Sequence, residues 1–280
     1  MKWFCIAILA MFVANSAVNA QMTEPCAWTP CGGEADCEKN GVVRTAGPFY
    51  CKQFPTCPWF VTVREISCRN DEGMIEKSFC EYLPTIARDK GDCKDLVAAV
   101  ETVPFNMELL SKLMVEVYDL FLLADATREY KNSSDAVKKW LECPYGSVKY
   151  TLVAASCSYA APFYGTVKLG PVEQYGDIGN GQGGEMFEEN MLVSVEGVRW
   201  VPCNGIHCCR KHTRICWDKD KGVAVVKDVA YVSNNPEGTC TTEYANTRSL
   251  PPPPLPAGLK YRLKGYLQQC QPNCDEILGK

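Results

Sequence analysis

The densest set of side chains able to do chemistry lies late in the chain: Cys203, His207, Cys208, Cys209, His212 and Cys216. It contains both histidines of the protein. Thiolates and imidazoles at such short spacings can complete a tetrahedral zinc site. The same residues can also be disulfides beside two ordinary histidines. His212 and Cys216 stand at an even offset, which puts them on one face of a strand for packing reasons alone. Oxidising surroundings divert thiols into bridges. The expectation is therefore no metal and no cofactor, with zinc held by these six residues as the alternative.

Two other constellations are weaker. Gly179-Asn180-Gly181-Gln182-Gly183-Gly184 has the spacing of a dinucleotide-binding loop. That chemistry needs a buried strand before the loop and a helix after it, whereas Pro171 and Asp177 stand just upstream. Asp177, Glu185, Glu188 and Glu189 offer oxygens to calcium, but Gly179 and Gly181 occupy intermediate ligand positions, and Gln182 stands where an EF-hand loop needs glycine. A flexible acidic loop is the simpler reading. No His-Glu-x-x-His or Gly-x-Ser-x-Gly motif occurs. Carboxylates are plentiful, as on any acidic surface, so a hydrolase built on a carboxylate pair or on an unmarked histidine is the second reading of function. The first is a non-catalytic component that acts by binding.

The beginning of the chain indicates export. Lys2 precedes an apolar run from Trp3 to Ala14, and Val18-Asn19-Ala20 ends a polar segment with small residues where a signal peptidase reads them. Residues 1–20 are expected to be a signal peptide, leaving Gln21 first. No later segment is long and apolar enough to span a bilayer, so no membrane span is expected. Eighteen cysteines, including Cys5 in the signal, suit an oxidising compartment: outside the cell, at its surface or in a periplasm. The net charge of −4 and the absence of a basic block argue against a nucleic-acid partner. A protein or surface-glycan partner is expected instead.

Four stretches follow the signal. Residues 21–93 carry Cys26, Cys31, Cys37, Cys51, Cys57, Cys68, Cys80 and Cys93. An even number here predicts a cysteine-rich module that closes its bridges internally, though eight cysteines allow 105 connectivities. Phe60 to Ile66 alternates like a strand, and Asn70-Asp71-Glu72-Gly73 supplies a turn. The run Cys57, Arg64, Cys68, Cys80 and Cys93 resembles the later half of a thrombospondin type-1 repeat. The likeness stops at Cys93. Spaced tryptophans are missing, and Pro58-Trp59-Phe60 replaces the glycines that family carries after its second cysteine.

Residues 94–143 read as helical. Asn106 can cap a helix whose apolar residues recur at Met107, Leu110, Met114, Val117, Phe121 and Ala124, with Glu108 four residues before Lys112 on its polar face. This helix is expected to be buried against its own chain. A second, short helix should start at Ser134. Asn132-Ser133-Ser134 is a glycosylation sequon, meaningful only in a host that glycosylates.

Residues 144–247 read as antiparallel β, with strands at Val148 to Ser156, Phe163 to Leu169, Met191 to Val195 and Val198 to Val201. A hairpin is expected from Thr213 to Trp217, across Asp218 to Gly222, to Val223 to Val226. Residues 248–280 begin with a proline spacer at Pro251 to Pro254 and Pro256 and end in a tail. The predicted fold class is α+β and multi-module, with a sandwich- or barrel-like C-terminal β domain. Cys143, Cys157, Cys240, Cys270 and Cys274 are expected in bridges. The odd cysteine of the mature chain is expected to be free and buried in the Cys203 to Cys216 cluster.

Overall fold

The computed structural model describes residues 41–69, 74–87, 91–102, 106–155, 157–169, 191–202, 208–233, 260–263, 271–272 and 279. At 80, 81, 107, 154–155, 157–169, 191–202, 208, 233, 260–263 and 271–272 it describes backbone alone. The expected signal peptide, the Asn70 to Gly73 turn, the glycine-rich and acidic loops and the proline spacer lie outside these residues. So do Cys26, Cys31, Cys37, Cys203, His207, Cys240, Cys270 and Cys274.

The helix predicted from apolar spacing forms as expected and runs further. A short helix α1 (Lys94–Val100) precedes α2 (Met107–Asn132). Asn106 caps α2: its side-chain oxygen accepts the Leu109 amide at 3.1 Å, satisfying one otherwise orphaned donor. Glu108 and Lys112 pair at 2.6 Å on the exposed face. Leu110, Leu113, Met114, Val117, Tyr118, Phe121 and Leu122 are buried, so α2 is a core helix. Ser133 ends it in extended backbone, and α3 (Asp135–Lys138) follows from an N-cap at Ser134 as a single turn.

Ten strands form one sheet: β1 (Val42–Cys51), β2 (Phe54–Arg69), β3 (Ile75–Ala87), β4 (Val148–Ala155), β5 (Cys157–Leu169), β6 (Met191–Pro202), β7 (Cys208–Asp218), β8 (Val223–Ser233), β9 (Lys260–Leu263) and β10 (Gln271–Pro272). The two segments expected at Met191 to Val195 and Val198 to Val201 are the single strand β6. The main path is β10-β5-β6-β3-β4-β7-β8; β2 pairs with β3 and β1, and β9 with β5. Among the described strands every pairing is antiparallel except β3 with β4, which run parallel from Ile75↔Val148 to Phe79↔Leu152. The protein is mostly β-sheet, curled as a half-barrel, with a few helices.

Strands from either side of the helical stretch therefore share one sheet and one core. Phe79 of β3 sits at its centre, with ring centroids 6.3 Å from Tyr118 and 5.4 Å from Phe121 on α2, and 6.0 Å from Tyr150 on β4. Trp59, Phe60, Val61, Val148 and Ile215 are also buried.

The predicted hairpin is present. Asp218 pairs with Val223, and the Asp218 carboxylate accepts the amides of Asp220 and Lys221. Gly222, at φ 67°, takes the left-handed conformation that closes the turn.

Two disulfides are fully described, Cys57–Cys93 and Cys143–Cys216, at sequence separations of 36 and 73. Loops of this length each stabilise the folded chain by about 4 kcal/mol in the chain-entropy account. Cys68 and Cys209 are disulfide-bonded as well.

The expectation that all eight cysteines of residues 21–93 pair among themselves is overturned by Cys51, whose thiol is free and buried. Its fully buried side chain lies in the core, where a small apolar group is what packing needs. Burial, aided by Glu116, holds the thiol far above its ordinary pKa and so keeps it protonated and inert. A thiol reagent should leave native Cys51 unmodified and label it once the unreduced chain is denatured. Labelling that fell instead on a cysteine between Cys203 and Cys216 would overturn this assignment.

Candidate functional site

Of the six residues singled out for zinc, three have described side chains. Cys216 is bonded to Cys143, and Cys209 is also in a disulfide. Neither can offer a thiolate, so the six-residue zinc set loses two of its ligands. His212, on β7, is half-buried, with Nδ1 3.0 Å from the Thr151 hydroxyl on β4. Burial lowers its pKa, and Lys149 and Arg210 lower it further, which favours the neutral ring. Cys208 lies on β7, beside Ala155 of β4. Among the described residues, no three His, Cys, Asp or Glu side chains converge as a metal would require.

The structure gathers a different set of chemical groups, between α2 and the sheet. Asp125 of α2 is fully buried. Its Oδ1 accepts from Arg44 of β1 at 2.7 Å and from Arg128 at 2.9 Å. Its Oδ2 accepts from Lys77 of β3 at 2.7 Å and from the Tyr150 hydroxyl of β4 at 2.9 Å. Arg44 also donates to Glu65 of β2 through Nε at 2.9 Å, and Lys77 donates to Glu129 at 2.8 Å. Ser67 donates to the other oxygen of Glu65.

Three cations (Arg44, Lys77, Arg128) thus face three carboxylates (Glu65, Asp125, Glu129). The cluster joins four strands to one helix. Among the described contacts formal charge is balanced, which favours burial in a low-dielectric site.

Electrostatics follow from this packing. Burial alone would raise the Asp125 pKa, but Lys77, Arg44 and Arg128 outweigh it and hold the carboxyl well below the usual aspartate range. Burial would likewise lower the Lys77 pKa, but Asp125, Glu65 and Glu129 outweigh it, with Arg44 opposing, and raise it. Burial, then Asp125, pushes the Tyr150 hydroxyl well above its ordinary value.

Four donors fill the roughly four acceptor positions of a carboxylate. Asp125 therefore has no lone pair left with which to take a proton from a substrate. The cluster fixes the helix in the sheet.

The signs give a pH window. Asp125 titrates lower in the folded chain than in the unfolded one, so its contribution is complete above about pH 5 and fades as pH falls through and below about 4. Lys77 titrates higher when folded, so its contribution is complete below about pH 9 and fades only as pH rises past about 10.5. Urea midpoints should show a plateau between these limits, and Asp125→Asn should flatten the acid edge. An acid edge of the same steepness in that variant would show that other carboxylates control it.

One signal for this cluster was present in the sequence. Asp125 follows Phe121 by four residues and adjoins Ala124 on the apolar face of α2, where a charge is out of pattern. Lys77 likewise alternates with Ile75 and Phe79 on one face of β3.

A second surface surrounds the Cys143–Cys216 bridge. The Tyr130 and Trp217 rings stack with centroids 4.5 Å apart, and Tyr130 donates to Glu142, which also pairs with Lys219. The loop from Trp140 to Ser147 is fixed by backbone bonds from Cys143 to Trp217, Gly146 to Glu142 and Ser147 to Trp140. On it, Trp140 is 54 % exposed and Tyr145 is 93 % exposed.

Compared with known proteins, the chain matches no family model, and no curated protein and no solved structure proved similar to it. No helix among the described residues is long and apolar enough to cross a membrane.

Proposed function

We propose that this protein is an exported, disulfide-stabilised component of the cell surface or extracellular space that acts by binding. The observation that carries the reading is the state of its cysteines. Bridges closing loops of 36 and 73 residues persist best where no reducing pool attacks them. Exposed Trp140 and Tyr145 on a disulfide-braced loop supply rigid, amphipathic contact area of the kind binding surfaces use.

The chain should be recovered from the medium or envelope beginning at Gln21, with Cys57 bonded to Cys93. Recovery from the cytoplasm with Met1 intact and its thiols reduced would end this reading. A Trp140→Ser, Tyr145→Ser double variant tests the binding half. It should fold normally yet lose whatever the parent chain captures from that compartment; undiminished capture would place the binding surface elsewhere.

A further inference from the structure

Among the described residues β8 is the last strand on the main path of the sheet, hydrogen-bonded to β7 on one side. From Val226 to Val232 all seven residues are exposed. Among them Val226 is 46 % exposed, Val229 41 %, Tyr231 37 % and Val232 41 %. An edge rich in β-branched and aromatic residues is a template for another strand. We infer that β8 pairs antiparallel with β8 of a second copy of this chain, about a two-fold axis at Ala230.

The strand itself sets the register. A two-fold axis perpendicular to the sheet keeps each side chain on its own face, so it must fall opposite a residue and not between two. A bulge interrupts β8 at Lys227, since Val226 faces Ile215 and Asp228 faces Arg214. Regular pairing is therefore confined to the residues after it.

An axis at Val229 would bring the bulged Lys227 into the ladder. An axis at Tyr231 would oppose two tyrosine rings across the closest approach. An axis at Ala230 opposes the smallest side chain to itself, Val229 to the second copy's Tyr231, and Asp228 to its Val232. No like charges meet. Val229 and Tyr231 lie on the face shared with Thr213 and Lys211, so the two copies bring four apolar side chains together there. Asp228 keeps its position 3.9 Å from Arg214 on the other face. The Tyr231 hydroxyl donates to the carbonyl of Gly279, which orients the ring while leaving it part-exposed.

Sedimentation velocity of the oxidised chain over a wide concentration range tests the proposal, together with amide exchange at residues 228–232. The expected result is a reversible dimer whose formation protects those amides. Val229→Lys should weaken association about tenfold or more, because each dimer contains the contact twice. Val229 is exposed, so melting should be unchanged. Val229→Lys with Tyr231→Glu should restore association, since the register opposes the new charges.

A monomer at every concentration overturns the proposal, as does a dimer indifferent to Val229→Lys. So does failure of the double variant to regain association. Amides at 228–232 already protected in the monomer would show that the chain covers its own edge, and would overturn it too.

Discussion

Asp125→Ala should destabilise the protein by roughly 3–5 kcal/mol, a large share of the stability of an ordinary domain. The effect comes less from the lost hydrogen bonds than from what remains behind. Arg44 and Lys77 would stay almost wholly inside, with side chains 8 % and 2 % exposed, without their shared counter-ion. The Tyr150 hydroxyl would lose its acceptor too. Glu65 pairs with both cations and Glu129 with Lys77, but without Asp125 three cations face two carboxylates, so one buried positive charge is left uncompensated. A urea titration followed by near-ultraviolet circular dichroism measures the loss. A shift below about 1 kcal/mol would mean that water enters and replaces the carboxylate. Simultaneous replacement of Asp125, Glu65, Arg44 and Lys77 by apolar residues of similar size should be far milder than Asp125→Ala alone, because it removes two charges of each sign, leaves Arg128 beside Glu129, and a balanced buried cluster contributes little net stability.

Leu110→Asp should lower stability by roughly 3 kcal/mol or more, by placing an unpaired charge in an apolar site. Leu110 is 2 % exposed and lies one turn before Leu113 and Met114 in the same core. Leu110 belongs to the apolar core cluster, whereas Asp125 is met by Arg44, Lys77 and Arg128. Thermal melts of variant and parent decide it. An unchanged melting temperature with loss of a binding partner would make this end of α2 an interface and not core.

Local signals carried the parts of the fold that local physics decides. Asn106 as a cap, the spacing through Ala124 and the Asp218 to Gly222 turn were all readable, because each depends on neighbours in the chain. The helix ran past Ala124 because Asp125, which looks like a polar break, is bonded to the sheet through Arg44, Lys77 and Tyr150, while Arg128 pairs with Asp125 on the helix itself. The long strands β1 and β3 were hidden among cysteines that suggested a loop-rich module. Their pairing partners are distant, and the parallel contact of β3 with β4 bridges the whole helical stretch without a turn to announce it. The ionic cluster was hidden for the same reason. Asp125 and Lys77 stand out of pattern, but the other four charged residues are ordinary one by one, and only the curl of the sheet around α2 brings Arg44 and Lys77 to the Asp125 carboxylate.

The free thiol of Cys51 constrains how the chain can be oxidised. Without it, the stretch from Cys26 to Cys93 keeps seven cysteines, and the stretch from Cys143 to Cys274 has nine. Both numbers are odd. If all the other cysteines from Cys26 onward are paired within one chain, an odd number of bridges, and hence at least one, ties the early stretch to the late one. Such a tie cannot close while the late cysteines are still being synthesised. An early thiol must then wait, open to wrong partners, until the rest of the chain arrives. Oxidation becomes a whole-chain event that finishes by thiol exchange, and non-reducing peptide maps should contain a linkage with one peptide from each stretch.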